Sequence, residues 1–204
     1  MKRLLRLTAV AGVFMLASGA VTPVIAQEMI PRAQVSAGYQ VLDFRGENPQ
    51  TFVKGWYAEV LGNFTHHLGA VFEIGGDYKT IQQTTTVQGV TSQFSADLSA
   101  HEYMGGIRVS ARPNPRVTPF GQFLIGGVRG AANVSASVTG GQQTFFESST
   151  GESTTDFAVQ AGGGLNVFVT EQIGVRVGAD YFRVFAENQG INVFRVVVGA
   201  VVGF

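Results

Sequence analysis

The chain contains no cysteine among its 204 residues. This absence excludes disulfide bridges, thiol catalysis, cysteine-ligated zinc and a lipid-modified N-terminal cysteine. Charged residues are few, at 14% of the chain, and acidic and basic residues are equal in number. A chain without a basic excess offers no electrostatic case for a nucleic-acid partner. Beyond residue 26, no apolar run approaches the length of about 20 residues that a membrane-spanning helix needs.

The N-terminal segment has the composition of a secretory signal peptide. A basic start precedes an apolar run that ends in small residues, so we predict cleavage after Ala26 and export from the cytoplasm. A membrane anchor is the alternative, but Thr22 and Pro23 interrupt the apolar run and no basic stop-transfer cluster follows. The predicted organisation is a signal peptide over residues 1–26 and one domain over residues 27–204, with a formal net charge of −3 from eleven basic and fourteen acidic residues.

The mature chain divides into eight stretches of about ten residues in which apolar and polar side chains alternate. They span residues 33–44, 55–64, 69–78, 101–110, 118–129, 156–168, 173–182 and 192–204. Alternation with a period of two is typical of β-strands, whereas a helix repeats its apolar positions every three to four residues. The fifth stretch does not show which of its faces is the apolar one, because Phe123 and Ile125 lie on one face and Leu124 and Val128 on the other. The pattern predicts an all-β fold.

Connections of two kinds alternate between these stretches. The second, fourth and sixth are short, whereas the others are mostly longer and polar, and the longest cover residues 79–98 and 130–154. In an up-and-down barrel, odd and even connections lie at opposite rims. Short periplasmic turns and longer extracellular loops are the known form of outer-membrane barrels. The lengths therefore predict an eight-stranded antiparallel up-and-down β-barrel with polar loops at one end.

The two faces of the predicted strands differ in content. One face carries bulky apolar residues such as Trp56, Phe72 and Phe194. The other combines small residues with seven charged ones: Glu59, Glu73, Glu102, Arg108, Arg176, Asp180 and Arg195. An eight-stranded barrel has an interior that side chains just fill. We therefore predict that the seven charges form a network in the lumen and that the apolar face meets lipid, which makes the barrel transmembrane.

The predicted turns also set partners inside this lumen. The last loop places Asp180 opposite Arg195, and the turn at residues 65–68 places Glu59 opposite Glu73. Facing carboxylates repel each other. Either one of them is protonated or both share a cation from across the lumen, and we expect one of the three lumen arginines to supply it.

Aromatic residues near the strand ends match the girdles that outer-membrane barrels place at both membrane interfaces. Those predicted for the long-loop rim are Phe44, Tyr78, Phe157 and Tyr181. Those predicted for the short-turn rim are Phe64, Phe168 and Phe204. Cations also fall toward the long-loop rim, namely Arg45, Lys54, Lys79, Arg129 and Arg183. They either meet lipopolysaccharide phosphates or are solvated loop charge.

The signal peptide, the eight stretches and the C-terminal sequence FRVVVGAVVGF together resemble the small outer-membrane β-barrel proteins of Gram-negative bacteria, the OmpA/OmpX type. The resemblance covers residues 33–204. It implies a location in the cell outer membrane, reached through the periplasm. It also implies that the outer-membrane assembly machinery reads the terminal strand, with Phe204 as the assembly signal. Such an architecture does not by itself fix the function.

The leading functional hypothesis is a non-enzymatic outer-membrane barrel with a plugged, charged lumen. Its role would be envelope integrity or surface interaction such as adhesion. Residues 79–98 and 130–154 are the candidates for contact with an extracellular ligand, unless they are solvated spacers. The expected partners are outer-membrane lipids, including lipopolysaccharide, and the assembly machinery. The sequence indicates no cofactor and no metal cluster.

Two other functions stay open. A porin-like pore for small solutes is disfavoured, because the charged side chains leave little path through the lumen. A barrel enzyme that modifies lipid A needs a base and a nucleophile on the lipid-facing outer rim. His101 with Ser99 is the candidate pair, since His66 and His67 fall in a tight turn. A soluble periplasmic lipocalin-like barrel is the structural alternative.

Overall fold

The computed structural model describes residues 31–45, 50–114, 116–140, 143–186 and 189–204, so the predicted signal peptide lies outside the described residues. Eight strands form one closed antiparallel barrel in which each strand pairs with the next and the eighth with the first. The strands are β1 Ala33–Arg45, β2 Gln50–Asn63, β3 Leu68–Val87, β4 Val90–Ser110, β5 Val117–Gly140, β6 Gln143–Phe168, β7 Ile173–Ala186 and β8 Gln189–Gly203. The predicted up-and-down topology is confirmed. Within these ranges, no helix is long and apolar enough to cross a membrane.

The strand register follows the lengths of the turns. Asp180 pairs with Arg195 across β7 and β8, and Glu59 pairs with Glu73 across β2 and β3, as the sequence predicts. At the seam that closes the barrel, β1 and β8 pair from Gln34 with Gly203 to Arg45 with Asn192. The amide of Phe204 donates to the carbonyl of Ala33 at 2.9 Å. Closure leaves the barrel wall without an unpaired strand edge.

The short turns at one end of the barrel are held by side-chain oxygens. Thr65 Oγ1 accepts a hydrogen bond from the Leu68 amide at 3.0 Å, and Thr170 Oγ1 accepts one from the Ile173 amide at 2.9 Å. Asn114 Oδ1 accepts from the amide of the first residue of β5 at 2.8 Å. Each side chain satisfies a turn amide and so fixes where the next strand begins.

The segments at residues 79–98 and 130–154 are mostly strand, so their prediction as loops is wrong. β3 and β4 pair without a break as far as Val87 and Val90. β4 pairs with β5, and β5 with β6, as far as Gly140. These segments are rich in threonine, which has a high strand propensity. Their backbone hydrogen bonds continue those of the barrel strands. The alternation of apolar residues in the sequence does not reveal such bonds.

The extended strands form a separate structure beyond the barrel. β2 pairs with β3 only as far as Lys54 with Tyr78, and β7 pairs with β6 only as far as Phe185 with Phe157. Beyond these pairs, β3 to β6 continue without β2 and β7. At the tip, Gln88 and Gly89 have φ of 50° and 81°, which matches a two-residue type I′ hairpin turn. We call the four extended parts the outer sheet, comprising residues 79–87, 90–98, 130–140 and 143–154.

The outer sheet reverses the polarity of the barrel wall below it. Side chains that continue the outer wall are polar and include Thr80, Asp97, Asn133, Gln82, Ser95 and Ser135. On β4 and β5 the side chains that continue the lumen face are mostly apolar and include Ala96, Phe94, Val134 and Ala136, whereas their partners on β6 are polar and include Glu152, Thr150 and Ser148. Because alternate residues face opposite sides of a sheet, the change occurs without a break in the strands. It marks a boundary between two environments.

The facing of β5 and of two rim aromatics is also settled. Phe123 and Ile125 point outward, each about half exposed at 50% and 51%, whereas Leu124 is buried in the lumen. Phe44 and Phe168, predicted for the outer girdles, point inward instead. Each shares the parity of the lumen residues on its own strand, which places the ring inside. The other five predicted girdle residues are exposed on the outer wall.

Candidate functional site

The interior of the barrel is the candidate functional site. All seven charged residues predicted for the lumen lie inside it, and none is more than 3% exposed. Asp77 is an eighth buried charged residue that the prediction left out. Period-two alternation turns all of these side chains inward from five strands. They form two groups: a turn-side cluster of Glu59, Arg108 and Arg176, and a sheet-side cluster of Glu73, Asp77, Glu102, Asp180 and Arg195.

In the turn-side cluster one carboxylate lies between two arginines. Glu59 forms ion pairs with both Arg108 and Arg176. Arg108 Nη1 donates to Glu59 Oε1 at 2.8 Å. Arg176 also donates from Nη1 to Ser36 Oγ at 2.7 Å and from Nε to Asn166 Oδ1 at 2.9 Å. With all groups ionised, the cluster carries one net positive charge.

The ring of Phe120 stabilises this excess positive charge. The guanidinium carbon of Arg108 is 4.1 Å from the ring centroid, and that of Arg176 is 4.9 Å from it. The face of an aromatic ring attracts cations, most strongly where water is excluded. The two arginines therefore share both a carboxylate and a ring.

In the sheet-side cluster one arginine serves three carboxylates. Arg195 Nη2 contacts Asp180 Oδ2 at 2.7 Å, and Nε of the same guanidinium donates to that oxygen at 3.1 Å. Arg195 Nη1 lies 2.7 Å from Glu73 Oε1 and 3.0 Å from Glu102 Oε1. Asp180 comes from the neighbouring strand, whereas Glu73 and Glu102 reach Arg195 from across the lumen.

Gln40 joins a fourth carboxylate to this cluster. Its Nε2 donates to Asp77 Oδ2 at 2.7 Å and to Glu102 Oε1 at 2.9 Å, while its Oε1 accepts from Arg195 Nη1 at 3.3 Å. Glycine at position 75 leaves space for these side-chain ends. A Cβ atom on Gly75 would come within 2.9 Å of Gln40 Nε2 and 2.8 Å of the Glu102 carboxyl carbon.

Gln122 connects the two clusters. Its Oε1 accepts from Arg108 Nε at 3.1 Å, and its Nε2 donates to Asp180 Oδ1 at 3.0 Å. The sequence interpretation missed Gln122, because the facing of the fifth stretch was open. It also did not assign Ser36, Gln40 or Asn166 to the network, although all three lie on the polar face of clearly alternating stretches.

Little empty space remains between the clusters. A cavity of about 10 Å³ is lined by residues of both, including Glu59, Gln122 and Arg195. That volume holds about one water molecule. Toward the outer sheet, buried apolar side chains continue the packing, among them Leu42, Phe52, Phe182, Val184 and Val193.

The outer wall of the barrel has the opposite character. Exposed aromatic and aliphatic side chains cover it, among them Tyr39, Trp56, Phe72, Tyr103, Ile107, Phe123, Val177, Val196 and Val198. Exposed apolar area on this scale marks an interaction surface, either for a membrane or for another protein. The barrel is therefore inverted relative to a water-soluble one, with ionic groups inside and apolar groups outside.

His101, the residue considered as a catalytic base, contacts a tyrosine on the neighbouring strand. His101 Nε2 lies 3.2 Å from the hydroxyl of Tyr78, and the two rings meet edge to face with centroids 5.6 Å apart. The described contacts thus pair His101 with Tyr78 instead of Ser99. His67 Nδ1 lies 2.9 Å from the carbonyl of Ser110 in the short turns. In the described part of the chain, no group of three or more acidic or histidine side chains is placed to hold a metal ion.

Four of the five rim cations lie on the outer wall. Arg45, Lys54, Arg129 and Arg183 are exposed just below the outer sheet. Lys79 is different, because its Nζ lies 5.8 Å from the centroid of the inward-facing Phe52 ring. The outer wall therefore carries a cationic rim above its apolar band.

Comparison with known proteins gives one family and several related folds. The family described as outer membrane protein beta-barrel domain matches residues 9–204. The chain is similar to Ail, the attachment invasion locus protein of Yersinia pestis, in complex with the heparin analogue sucrose octasulfate. The TM-score is 0.59 and the identity 17%, over 84% of this chain and 97% of that one. Neisserial surface protein A is similar at a TM-score of 0.50 and 11% identity, over 84% and 97%. None of the curated proteins matches in sequence.

Proposed function

Because the chain belongs to the outer membrane protein β-barrel domain family, we propose that it is a non-enzymatic integral protein of the cell outer membrane. In this proposal the barrel crosses the membrane after export through the periplasm, its lumen is plugged, and the outer sheet faces the cell exterior. The observation that carries the proposal is the inverted barrel, with ion pairs sealed inside an apolar outer wall. Hydrocarbon offers no hydrogen bonds, so a spanning sheet must close and keep its polar groups inside.

The reversal of polarity at the outer sheet supports this orientation. Below Thr80 and Asp97 the outer wall is apolar, and from these residues outward it is polar. The cationic rim lies at the change. A membrane interface has this order, with acyl chains, then charged headgroups, then water. The short turns would then face the periplasm, as in other barrels of this type.

Membrane placement is tested by fractionation and by gel mobility with and without heating. We expect the protein in the outer-membrane fraction, extractable only by detergent, with an unheated form that migrates differently from the heated one. Recovery in the soluble periplasmic fraction would contradict the proposal and support the lipocalin-like alternative.

Phe204 is the proposed assembly signal at the end of β8. Its side chain is 67% exposed at the short-turn rim. We expect deletion of Phe204 to lower the assembled, heat-modifiable fraction in cells while leaving refolding of the purified chain in vesicles intact. Phe64→Ala is the matched control, because Phe64 is 71% exposed at the same rim. An equal loss for both changes would argue against a role of Phe204 as a signal.

A plugged lumen distinguishes this proposal from a porin-like pore. The two clusters and the apolar layer toward the outer sheet support it, since the cavity between them holds about one water molecule. In planar bilayers we expect no stable open conductance state from the wild-type barrel. A large, persistent open state would support the pore alternative.

Lipid A should have the same mass in cells with and without the protein, because the proposed role is not enzymatic.

The outer sheet is the proposed surface for extracellular interaction. A cavity of about 260 Å³ lies on it, lined mainly by Ser, Thr and Gln side chains and by Glu147. Ail is similar in fold and its structure holds a sulfated sugar analogue. Here residues 79–98 and 130–154 carry one lysine against three carboxylates. The charge therefore favours a neutral or cationic partner over a polyanion.

Adhesion is tested by expressing the chain in a non-adherent Gram-negative host. The matched variant lacks residues 80–86 and 91–97, which shortens the β3–β4 hairpin by register pairs and keeps its turn. We expect the wild type to increase binding of the host to epithelial cells or matrix, and the shortened variant to lose this gain while staying heat-modifiable. Equal adhesion by the wild type and the shortened variant would contradict a binding role of the outer sheet.

A further inference from the structure

Three polar residues stand in one row on the outer wall at the closing seam. Asn192 on β8 is in register with Arg183 on β7 and with Arg45 on β1. Its neighbour Val193 is buried in the lumen, so Asn192 faces outward. Adjacent strands lie about 4.8 Å apart, which puts the two arginine backbones about 10 Å from each other. The guanidinium group of Arg45 turns toward Asp43 and Phe194 and that of Arg183 toward Phe185, so the two groups flank the asparagine on opposite sides of the row.

Contacts within the row orient these groups. Arg183 Nη1 donates to Asn192 Oδ1 at 3.3 Å, which leaves the amide nitrogen of Asn192 as a donor. The guanidinium carbon of Arg183 lies 5.8 Å from the centroid of the Phe185 ring, and that of Arg45 lies 5.8 Å from the ring of Phe194. The rings restrict both guanidinium groups, so less side-chain freedom is lost when a ligand binds.

Among the residues that the structure describes, one acidic side chain contacts the row. Arg45 Nε donates to Asp43 Oδ2 at 3.3 Å, and Thr51 Oγ1 donates to the other oxygen of that carboxylate at 3.1 Å. This contact uses Nε of Arg45, whereas its two Nη nitrogens carry the remaining donors. The row and its described acidic partner together carry two guanidinium groups and one carboxylate.

An apolar strip lies directly below the row. Tyr181 and Phe194 are cross-strand partners on the outer wall, and Val196 and Val198 follow them down β8. All four are exposed, between 37% and 47%. A soluble anion would not contact this strip. An amphiphilic lipid would place its charged headgroup at the row and its acyl chains on the strip. The layering therefore favours a lipid over a free ion.

We propose that Arg45, Asn192 and Arg183 form a binding site for a phosphate group of an anionic lipid in the outer leaflet. The acyl chains of this lipid would lie along Tyr181, Phe194 and the valines below. The guanidinium groups supply charge-assisted hydrogen bonds, which phosphate accepts readily. The site rests on the proposed membrane placement and adds a defined lipid position on the β7–β8–β1 wall.

The site is tested with bisphosphorylated lipid A as the probe. The full mature chain is folded in zwitterionic detergent, and bound lipid is counted by native mass spectrometry over a titration. The variant is R45Q/R183Q, and the matched control is K54Q/R129Q, which removes the same charge from the β2 and β5 walls of the rim. We expect about hundredfold or more weaker binding for R45Q/R183Q, since two contacts are lost and each contact to a charged group is worth about tenfold or more. The control should change binding by about twofold or less. Equal weakening by both variants would overturn a localised site.

Two further probes separate the sources of phosphate. Dephosphorylated lipid A should bind about as weakly to the wild type as lipid A does to R45Q/R183Q. Inorganic phosphate at millimolar concentration should not displace lipid A. Displacement by inorganic phosphate, or equal binding of dephosphorylated lipid, would overturn the lipid-phosphate site. Heat-modifiable mobility of the wild type and both variants reports membrane folding separately. If the wild type lacks heat-modifiable mobility, the proposed function is contradicted. If it has this mobility but does not bind lipid A selectively, only the proposed site is contradicted.

Discussion

On the turn side of the lumen two arginines share one carboxylate, whereas on the sheet side one arginine serves three carboxylates and Gln40 holds a fourth. With every group ionised, the first cluster carries one net positive charge and the second three negative ones. Glu59 and Glu73 face each other in register, yet they belong to different clusters. Their repulsion is therefore met by two separate sets of cations and not by one shared arginine.

The comparison shows how a barrel of eight strands accommodates like charges on neighbouring positions. Glu59, Glu73 and Glu102 contact arginines from non-neighbouring strands, whereas Asp180 contacts the arginine of the adjacent strand. Gln122 connects the positively charged cluster to the negatively charged one. Taking ions out of water is costly, so such pairs need not stabilise the fold in net terms. Removing one partner is different, because it leaves the other charge buried and unpaired. The two clusters should therefore respond unequally to loss of their central residue.

The largest effect is expected for Arg195→Met. The change leaves Glu73, Glu102 and Asp180 buried around an apolar side chain, and breaking a buried pair costs about 3–5 kcal/mol. Urea unfolding in lipid vesicles, followed by gel mobility without heating, measures this loss in the free energy of unfolding. Arg129→Met on the outer rim is the control and should leave the midpoint unchanged. Similar midpoints for the two variants would mean that the sheet-side cluster does not depend on its arginine.

Glu59→Gln should have a smaller effect in the turn-side cluster. The amide keeps one acceptor oxygen for the arginines, and Phe120 still faces both guanidinium groups. We expect a loss of about 1.5–3 kcal/mol in the same unfolding measurement, the range for hydrogen bonds to charged groups. Glu147→Gln in the outer sheet should leave stability unchanged. A loss larger than that of Arg195→Met would reverse the proposed ranking of the clusters.

Gln122→Leu tests the connection between the clusters. The leucine removes one acceptor from Arg108 and one donor from Asp180, and leaving buried polar groups unsatisfied costs about 1–3 kcal/mol. A double-mutant cycle of E59Q with R195M, made with and without Q122L, measures the coupling energy. We expect coupling that falls when Gln122 is replaced. Additive effects in both backgrounds would show two independent clusters.

Ser36→Ala should have the smallest effect. It removes one hydroxyl acceptor from Arg176, whose Nε still donates to Asn166. The hydroxyl also donates to Glu59 Oε1 at 3.4 Å. Because Arg176 and Glu59 keep their ion pair, we expect a loss in the same unfolding assay near the lower end, about 1.5 kcal/mol, of the range for hydrogen bonds to charged groups. A loss equal to that of Glu59→Gln would mean that the hydroxyl, and not the carboxylate, organises the turn side.

Much of the barrel is predictable from the sequence, because alternation and turn length are local properties. The pairing of Asp180 with Arg195 follows from one loop, and the inward facing of both follows from parity. The outer sheet is not predictable in this way. Its strands carry polar side chains on the face where the barrel strands carry apolar ones, so they have the composition of loops.

The contacts of the candidate site are less predictable than its membership. Arg195 on β8 meets Glu102 on β4, and these strands are not neighbours. Their meeting depends on the diameter and stagger of the closed barrel, which no local pattern contains. Gln122 was hidden for a simpler reason, since β5 alternates bulky residues on both faces near Leu124. Uncharged residues such as Gln40 could be found only by counting every lumen-facing polar position.

The inverted barrel is the central claim, and Trp56 tests it most directly, because it is the only tryptophan of the chain. Its side chain is 41% exposed on the outer wall, on the apolar side of the cationic rim. In vesicles of lipids brominated on the acyl chains, we expect strong quenching of its fluorescence and little quenching by acrylamide added to the water. Strong acrylamide quenching without a bromine effect would place the outer wall in water and contradict the account.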